Sequence, residues 1–212
     1  MKANAYGYGV PHYVPPPRKG ILHSEAFQLL ISWGAITVAF GAGSILSGDI
    51  IGVALAGVAV GTGFIFHELA HRQVARHYGV YARYRAWYTG LLLAVTIAFL
   101  SAKILGMPFV LAAPGAVYIV GAMGYIHPLL ELRIAEAGPL ANIVVSIAFF
   151  VASALTPNPW HYYLGYISSV NAWLAFFNLL PVPPLDGYKI MRIRIVEWGI
   201  LLFVAFVLTF VL

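Results

Sequence analysis

The sequence predicts an all-α polytopic membrane protein of about five to six membrane helices, with a short membrane-associated β element around residues 109–121. Three observations lead there. Of 212 residues, 61% are hydrophobic and only 9% charged, at a mean hydropathy of +0.87, whereas a soluble domain carries roughly a quarter charged residues. Uncharged runs over 26–48, 50–67 and 137–185 each hold a stretch near the ~20 residues that cross ~30 Å of hydrocarbon. Between 106 and 120, two prolines, a Pro-Gly pair and several β-branched residues oppose helix. A water-soluble protein is excluded. The basic excess, a formal +5, falls in short loops between apolar runs, where it sets topology and gives no sign of nucleic-acid binding. With no cysteine, any metal must be held by His, Asp or Glu.

The elements follow in order. Residues 1–20 are rich in Pro, Gly and Tyr without an apolar core, so they read as a disordered arm and not a signal peptide, leaving 21–212 as a single transmembrane domain. Ser24 and Glu25 open a first span over about 27–46, as helix N-terminal residues do. Ser-Gly-Asp at 47–49 turns the chain into a second helix over about 50–77, and Arg72, Arg76, Arg83 and Arg85 mark one membrane face. An apolar segment over 87–105 precedes the extended stretch at 109–121, expected as a hairpin. The charged residues Glu131, Arg133 and Glu136 come before apolar segments over about 137–155 and 163–180, joined by a Pro-containing turn at 156–160. Pro-Val-Pro-Pro at 181–184 breaks the chain ahead of a last apolar segment over 195–212.

Lys and Arg concentrate on cytoplasmic loops, which puts 72–85, 189–194 and the N-terminal arm inside and the loops at 47–49 and 156–161 outside. Residues 86 and 136 then share a side, so 87–130 crosses an even number of times and is expected to re-enter. Irregular backbone at that depth must pack against protein or line a wet cavity.

His67-Glu68-Leu69-Ala70-His71 is an HExxH sequence near the end of the second apolar helix. His67 and His71 share a helix face and can aim ring nitrogens at one metal ion, with Glu68 placed as general base. The bland alternative is a pair of interfacial histidines with a snorkelling Glu; an ionisable group inside a membrane helix points instead to function. Catalytic zinc takes a third protein ligand and keeps one position open. His12, His23, His77, His127, His161, Glu131, Glu136 and Glu197 are available, but Asp186 stands apart as the only acid between Ala137 and Tyr188, just past the proline break. It could also serve an Asx turn before Gly187.

Three motifs in order, HELAH at 67–71, AGPLAN at 137–142 and NLLPVPPLDG at 178–187, resemble the site-2 protease family of intramembrane zinc metalloproteases, in its compact form without a PDZ module. The resemblance covers roughly 50–195, a catalytic core. It implies one zinc ion per chain on His67, His71 and Asp186, Glu68 as base, and Asn178 as a hydrogen-bond donor near the metal, to the oxyanion. It implies as partners the lipid bilayer and a transmembrane protein substrate, cut in or near its membrane segment.

His67 lies 17 residues past Ile50, about 26 Å along a helix, so the site is expected to be buried within several ångströms of the cytoplasmic interface. A substrate helix has its amides paired internally and must unwind before hydrolysis. Strand addition to 109–121 would hold the unwound segment, making Val117, Tyr118 and Ile119 the substrate-binding candidates. Rival readings are a metal-ion transporter or a silent metal-binding protein using the same His and Asp residues, and a zincin taking its third ligand from Glu131 or Glu136. Gly138 and Asn142, Gly41–Gly43 and Gly61–Gly63 read as helix-packing positions, and Lys189 and Arg192 as interface anchors.

Overall fold

The computed structural model describes residues 24–111, 115–120 and 126–212; the N-terminal arm at 1–20 lies outside them. Helix α1 (Glu25–Phe40) starts where Ser24 Oγ accepts the N–H of Phe27 at 3.2 Å. The first apolar run is not one helix, however. Gly41 separates α1 from α2 (Ala42–Ser47), and there α3 packs so closely that an added Cβ would sit 3.6 Å from that of Ala56 and 3.0 Å from Thr37 O.

The second helix covers Ile50–His77 as expected, but a π-helical turn (Gly61–Ile65) divides it into α3 (Ile50–Val60) and α4 (Phe66–His77). Such turns cost regular hydrogen bonds and gather at functional sites. Two other helices brace this one: Trp33 Nε1 donates to Gly57 O at 2.9 Å, and Asn171 Nδ2 to Thr62 Oγ1 at 3.1 Å. The Gly61-Thr62-Gly63 cluster thus marks a break in the helix as well as close packing.

The extended segment corrects the hairpin expectation. β2 (Gly115–Val120) pairs antiparallel with β1 (Tyr81–Ala86), from Tyr81 opposite Val120 to Ala86 opposite Gly115. β1 lies in what reads from sequence as an arginine-bearing loop. Its period of two is there, with Ala82 and Tyr84 buried and Arg85 exposed, but arginines on the other face hide it. Helix α5 (Tyr88–Leu105) lies between the strands. Because Ala86 and Gly115 are register partners, the chain comes back to where it left. The returning backbone is met by side chains: Phe109 N–H donates to Ser101 Oγ at 2.7 Å, and Val110 O accepts from Trp173 Nε1 at 3.0 Å. Irregular backbone at the depth of an apolar helix requires such partners.

Helix α6 (Pro128–Ala154) begins earlier than expected and absorbs the charged patch; Pro139 lies inside it. α7 (Trp160–Asn178), α8 (Asp186–Ile193) and α9 (Ile195–Phe210) follow. Among the described residues, Ile50–His77, Tyr88–Leu105 and Pro128–Ala154 are long and apolar enough to cross a membrane, while α1 and α9 are shorter apolar helices. The architecture is that of an all-α polytopic membrane protein with, among the described residues, one two-stranded sheet.

β1 is fastened to α1 by side chains. Tyr84 N–H donates to Glu25 Oε1 at 3.2 Å and Ala86 N–H to Gln28 Oε1 at 3.0 Å, closing the strand's outer edge. Arg72 lies 3.4 Å from the same Glu25 oxygen. Tyr84, fully buried, donates its hydroxyl to Ser32 Oγ at 2.8 Å and sets its ring edge-on to Phe64. Tyr84→Phe should keep the ring packing but strand the buried Ser32 hydroxyl. Unfolding measured in detergent should show a loss of about 1–3 kcal/mol.

Candidate metal centre

α4 sets His67 and His71 one turn apart on one face, and α8 starts with Asp186. Their donor atoms converge: His67 Nε2 and His71 Nε2 are 2.9 Å apart, and Asp186 Oδ2 is 3.3 Å from the first and 3.0 Å from the second. All three residues are buried. Tetrahedral zinc with bonds near 2.0–2.1 Å separates its donor atoms by about 3.3 Å, so this triangle has the size of one face of a zinc site. Two imidazoles and a carboxylate pointing lone pairs at one spot are the donor set that a cation relieves. Among the described residues this is the one His/Cys/Asp/Glu group of three that could hold a metal ion.

The flanking contacts orient the donors. His71 Nδ1 lies 2.6 Å from Ile134 O, which fixes the proton on Nδ1 and leaves Nε2 free to bind, the usual arrangement behind a metal-bound histidine. That carbonyl sits on α6, five residues before Pro139. His67 Nδ1 faces the Asn142 amide at 3.3 Å. Lys189 Nζ holds the second oxygen of Asp186, Oδ1, at 2.9 Å, so Oδ2 alone turns to the histidines. Lys189, expected as an interface anchor, is therefore part of the centre. Burial opposes its charge, yet the Asp186 carboxylate holds its pKa above the ordinary lysine value.

Two glycines permit the assembly. A Cβ on Gly138 would run into His71 Nε2 and the outer edge of the His67 ring, and one on Gly187 into the backbone of Leu179. Gly138 thus lets α6 lie directly on the imidazoles, and Gly187 lets α8 abut the end of α7. Glu68, next to His67, is 6% exposed, and its Oε2 has no hydrogen-bond partner among the described residues. A buried carboxylate oxygen left unpaired one residue from a metal-type donor can accept a proton or a hydrogen bond from a ligand.

Asn178 closes α7 half-buried, with its Nδ2 turned back onto Leu174 O at 2.9 Å. Val117, Tyr118 and Ile119 lie on β2 opposite Tyr84, Arg83 and Ala82. Of the rival third ligands, Glu136 is buried and pairs with Arg133 at 3.0 Å; neither it nor Glu131 joins the cluster. The Ile134 carbonyl, Lys189 and Asn142 escape a reading by residue type. Only the motif position of Asn142 and the i, i+3 spacing of Lys189 from Asp186 could have pointed to them.

The sequence pattern of peptidase family M50 matches residues 153–201. MJ0611 of Methanocaldococcus jannaschii, provisionally named a zinc metalloprotease, is 43% identical over 145 residues, covering 68% of this chain and 72% of that protein. Zinc metalloprotease MJ0392 of the same organism is 33% identical over 60% of this chain but only 30% of its own length. Rip2 of Mycobacterium tuberculosis, also provisionally named a zinc metalloprotease, is 28% identical over 42% of this chain and 38% of its own. No solved structure matches the chain significantly. With one relative matched at 43% identity over most of its length, a family pattern of its own, and the donor set of a zinc site assembled where its motifs meet, the chain belongs to peptidase family M50, the site-2 protease family of zinc metalloproteases.

Proposed function

We propose that this chain is an intramembrane zinc metalloprotease that hydrolyses peptide bonds in or near the transmembrane segments of other membrane proteins. The observation that carries the reading is the convergence of His67, His71 and Asp186 next to buried Glu68, on a helix apolar enough to cross a membrane. His67, His71 and Asp186 would hold one zinc ion per chain; bound there, zinc would supply a Lewis acid for the scissile carbonyl and make water a nucleophile at neutral pH. Glu68 takes the proton of the attacking water and passes it to the leaving amine. Asn178, swung off Leu174 O, donates to the oxygen that gains charge.

An incoming helix must unwind, and the extended segment needs partners for its freed amides. β2 provides them at Val117, Tyr118 and Ile119 by strand addition. The favouring observation is that Glu25 and Gln28 already occupy the outer edge of β1, whereas β2 has no second strand partner among the described residues. The Lys and Arg positions support an orientation with the N-terminus and the zinc site toward the cytoplasm. A transport path would need further metal donors along its length, and among the described residues no second group of three is found.

The test is cleavage of tagged single-span substrates by the purified full chain in detergent, with and without a zinc chelator, with bound metal counted. Chelator-sensitive cleavage at one zinc per chain is expected; bound zinc with no cleavage of any single-span substrate would overturn the protease reading. Asp186→Ala should lose zinc, because it removes one of three donors and strands Lys189 in a buried site, while Glu131→Ala and Glu136→Ala keep it. The reverse pattern would move the third ligand to a glutamate.

A further inference from the structure

The metalloprotease reading, on which the following rests, requires His67 to turn a lone pair on Nε2 toward the metal, and hence to carry its proton on Nδ1. What faces Nδ1 is the side-chain amide of Asn142, 3.3 Å away through Nδ2. In that orientation two N–H groups oppose each other, and Asn142 Oδ1 is buried with no partner among the described residues. The oxygen and nitrogen of an amide are nearly the same size, and which is which follows from the hydrogen bonds they make. Exchanging them lets Oδ1 accept from His67 Nδ1–H and frees Nδ2 to donate elsewhere.

A second buried amide oxygen, Asn171 Oδ1, is likewise without a donor among the described residues. α6 and α7 run antiparallel, with Ser146 and Ser168 forming a rung between them: Ser168 Oγ donates to Ser146 O at 2.8 Å. Asn142 is one turn before Ser146 on α6, and Asn171 about one turn after Ser168 on α7, so both come level on the same side of that rung. They also face the same stretch of the metal helix. Asn171 Oδ1 lies 3.4 Å from where a Cβ on Gly63 would be, one turn before His67. From Asn171 the donors run on without a reversal, Nδ2 to Thr62 Oγ1 at 3.1 Å and Thr62 Oγ1 to Ala59 O at 2.9 Å.

We infer that Asn142 and Asn171 are positioning residues, an amide relay from His67 to the π-helical turn that selects which nitrogen of His67 meets the metal. The exchange gives both stranded oxygens a donor, which burial away from water otherwise penalises. It also gives the π-helical turn a reason to lie where it does: Thr62 sits beside Asn171 and terminates the relay.

Zinc affinity of the full chain in detergent, by competition with a chelator, and the visible spectrum of the cobalt(II)-loaded chain test this without reference to cleavage. Asn142→Leu, of similar size but with no acceptor, should weaken zinc binding about 10–100-fold, the usual cost of losing an outer partner, and alter the cobalt bands. Asn142→Asp, which keeps an oxygen for Nδ1–H, should bind close to wild type. Asn171→Leu should weaken binding in the same direction by a smaller factor. Wild-type affinity and spectrum in Asn142→Leu, or an equal loss in Asn142→Leu and Asn142→Asp, would overturn the role of Asn142; wild-type affinity in Asn171→Leu would overturn the relay. A wild-type chain that binds no zinc would overturn the metalloprotease reading itself, and this inference with it.

Discussion

In the Gly138→Ala protein, zinc binding should fall further than the about 10–100-fold that loss of an outer partner costs, while the fold survives. The added methyl meets His71 Nε2 and the His67 ring, and these are ends of side chains that can swing aside. What they cannot do is swing aside and still converge with Asp186 Oδ2, which lies 3.0 and 3.3 Å from their nitrogens. Chelator competition reads the first effect and thermal unfolding of the metal-free chain the second. Undiminished zinc affinity with alanine at 138 would show that the imidazoles do not lie against α6. Gly187 makes an instructive contrast, since its Cβ would strike the backbone of Leu179. There α7 and α8 must part, and fold and site suffer together.

Glu68→Gln should lower cleavage of a single-span substrate by about 10²–10⁴-fold, the range a general base contributes, with one zinc still bound per chain. Gln fills the same volume but cannot take a proton from water. None of the three convergent donor atoms belongs to residue 68, so the metal should stay. Activity and metal content measured on the same preparation separate this outcome from loss of the site. Cleavage within a few-fold of wild type would remove Glu68 from the proton-transfer step. Loss of zinc together with activity would make it a ligand or a structural support instead.

Much of the site was legible because its chemistry is local. HExxH puts two imidazoles on one face wherever the helix ends up, and Asp186 was conspicuous as a lone acid in a long uncharged stretch. The elements were legible in proportion to their length: the helix over Ile50–His77 was read to its ends, while the apolar run at 27–46 gave no sign that Gly41 would divide it. β1 does not stand out in the sequence because its alternation is carried by Ala82 and Tyr84 between arginines, a pattern that looks like a charged loop until a partner strand is known. In the sequence Lys189 reads as an interface anchor because a basic side chain at a helix end has two uses, and only the position of Asp186 chooses between them.

By itself, the sequence determined that the chain is a membrane protein, that His67 and His71 share one helix face as candidate metal donors, and that Glu68 stands next to them. Hydrophobic length and helical period are properties of a segment and need no neighbours to be read. The tertiary structure alone decided that Asp186 meets the histidines across 115 residues of chain, that Gly138 makes room for their rings, and that β2 pairs with β1 instead of folding on itself. It also decided that Ile134, Asn142 and Lys189 hold the donors in place. These depend on helix packing and on pairing between distant strands, whose outcome is set by shape and by the need to satisfy every polar group away from water, and no single segment contains that information.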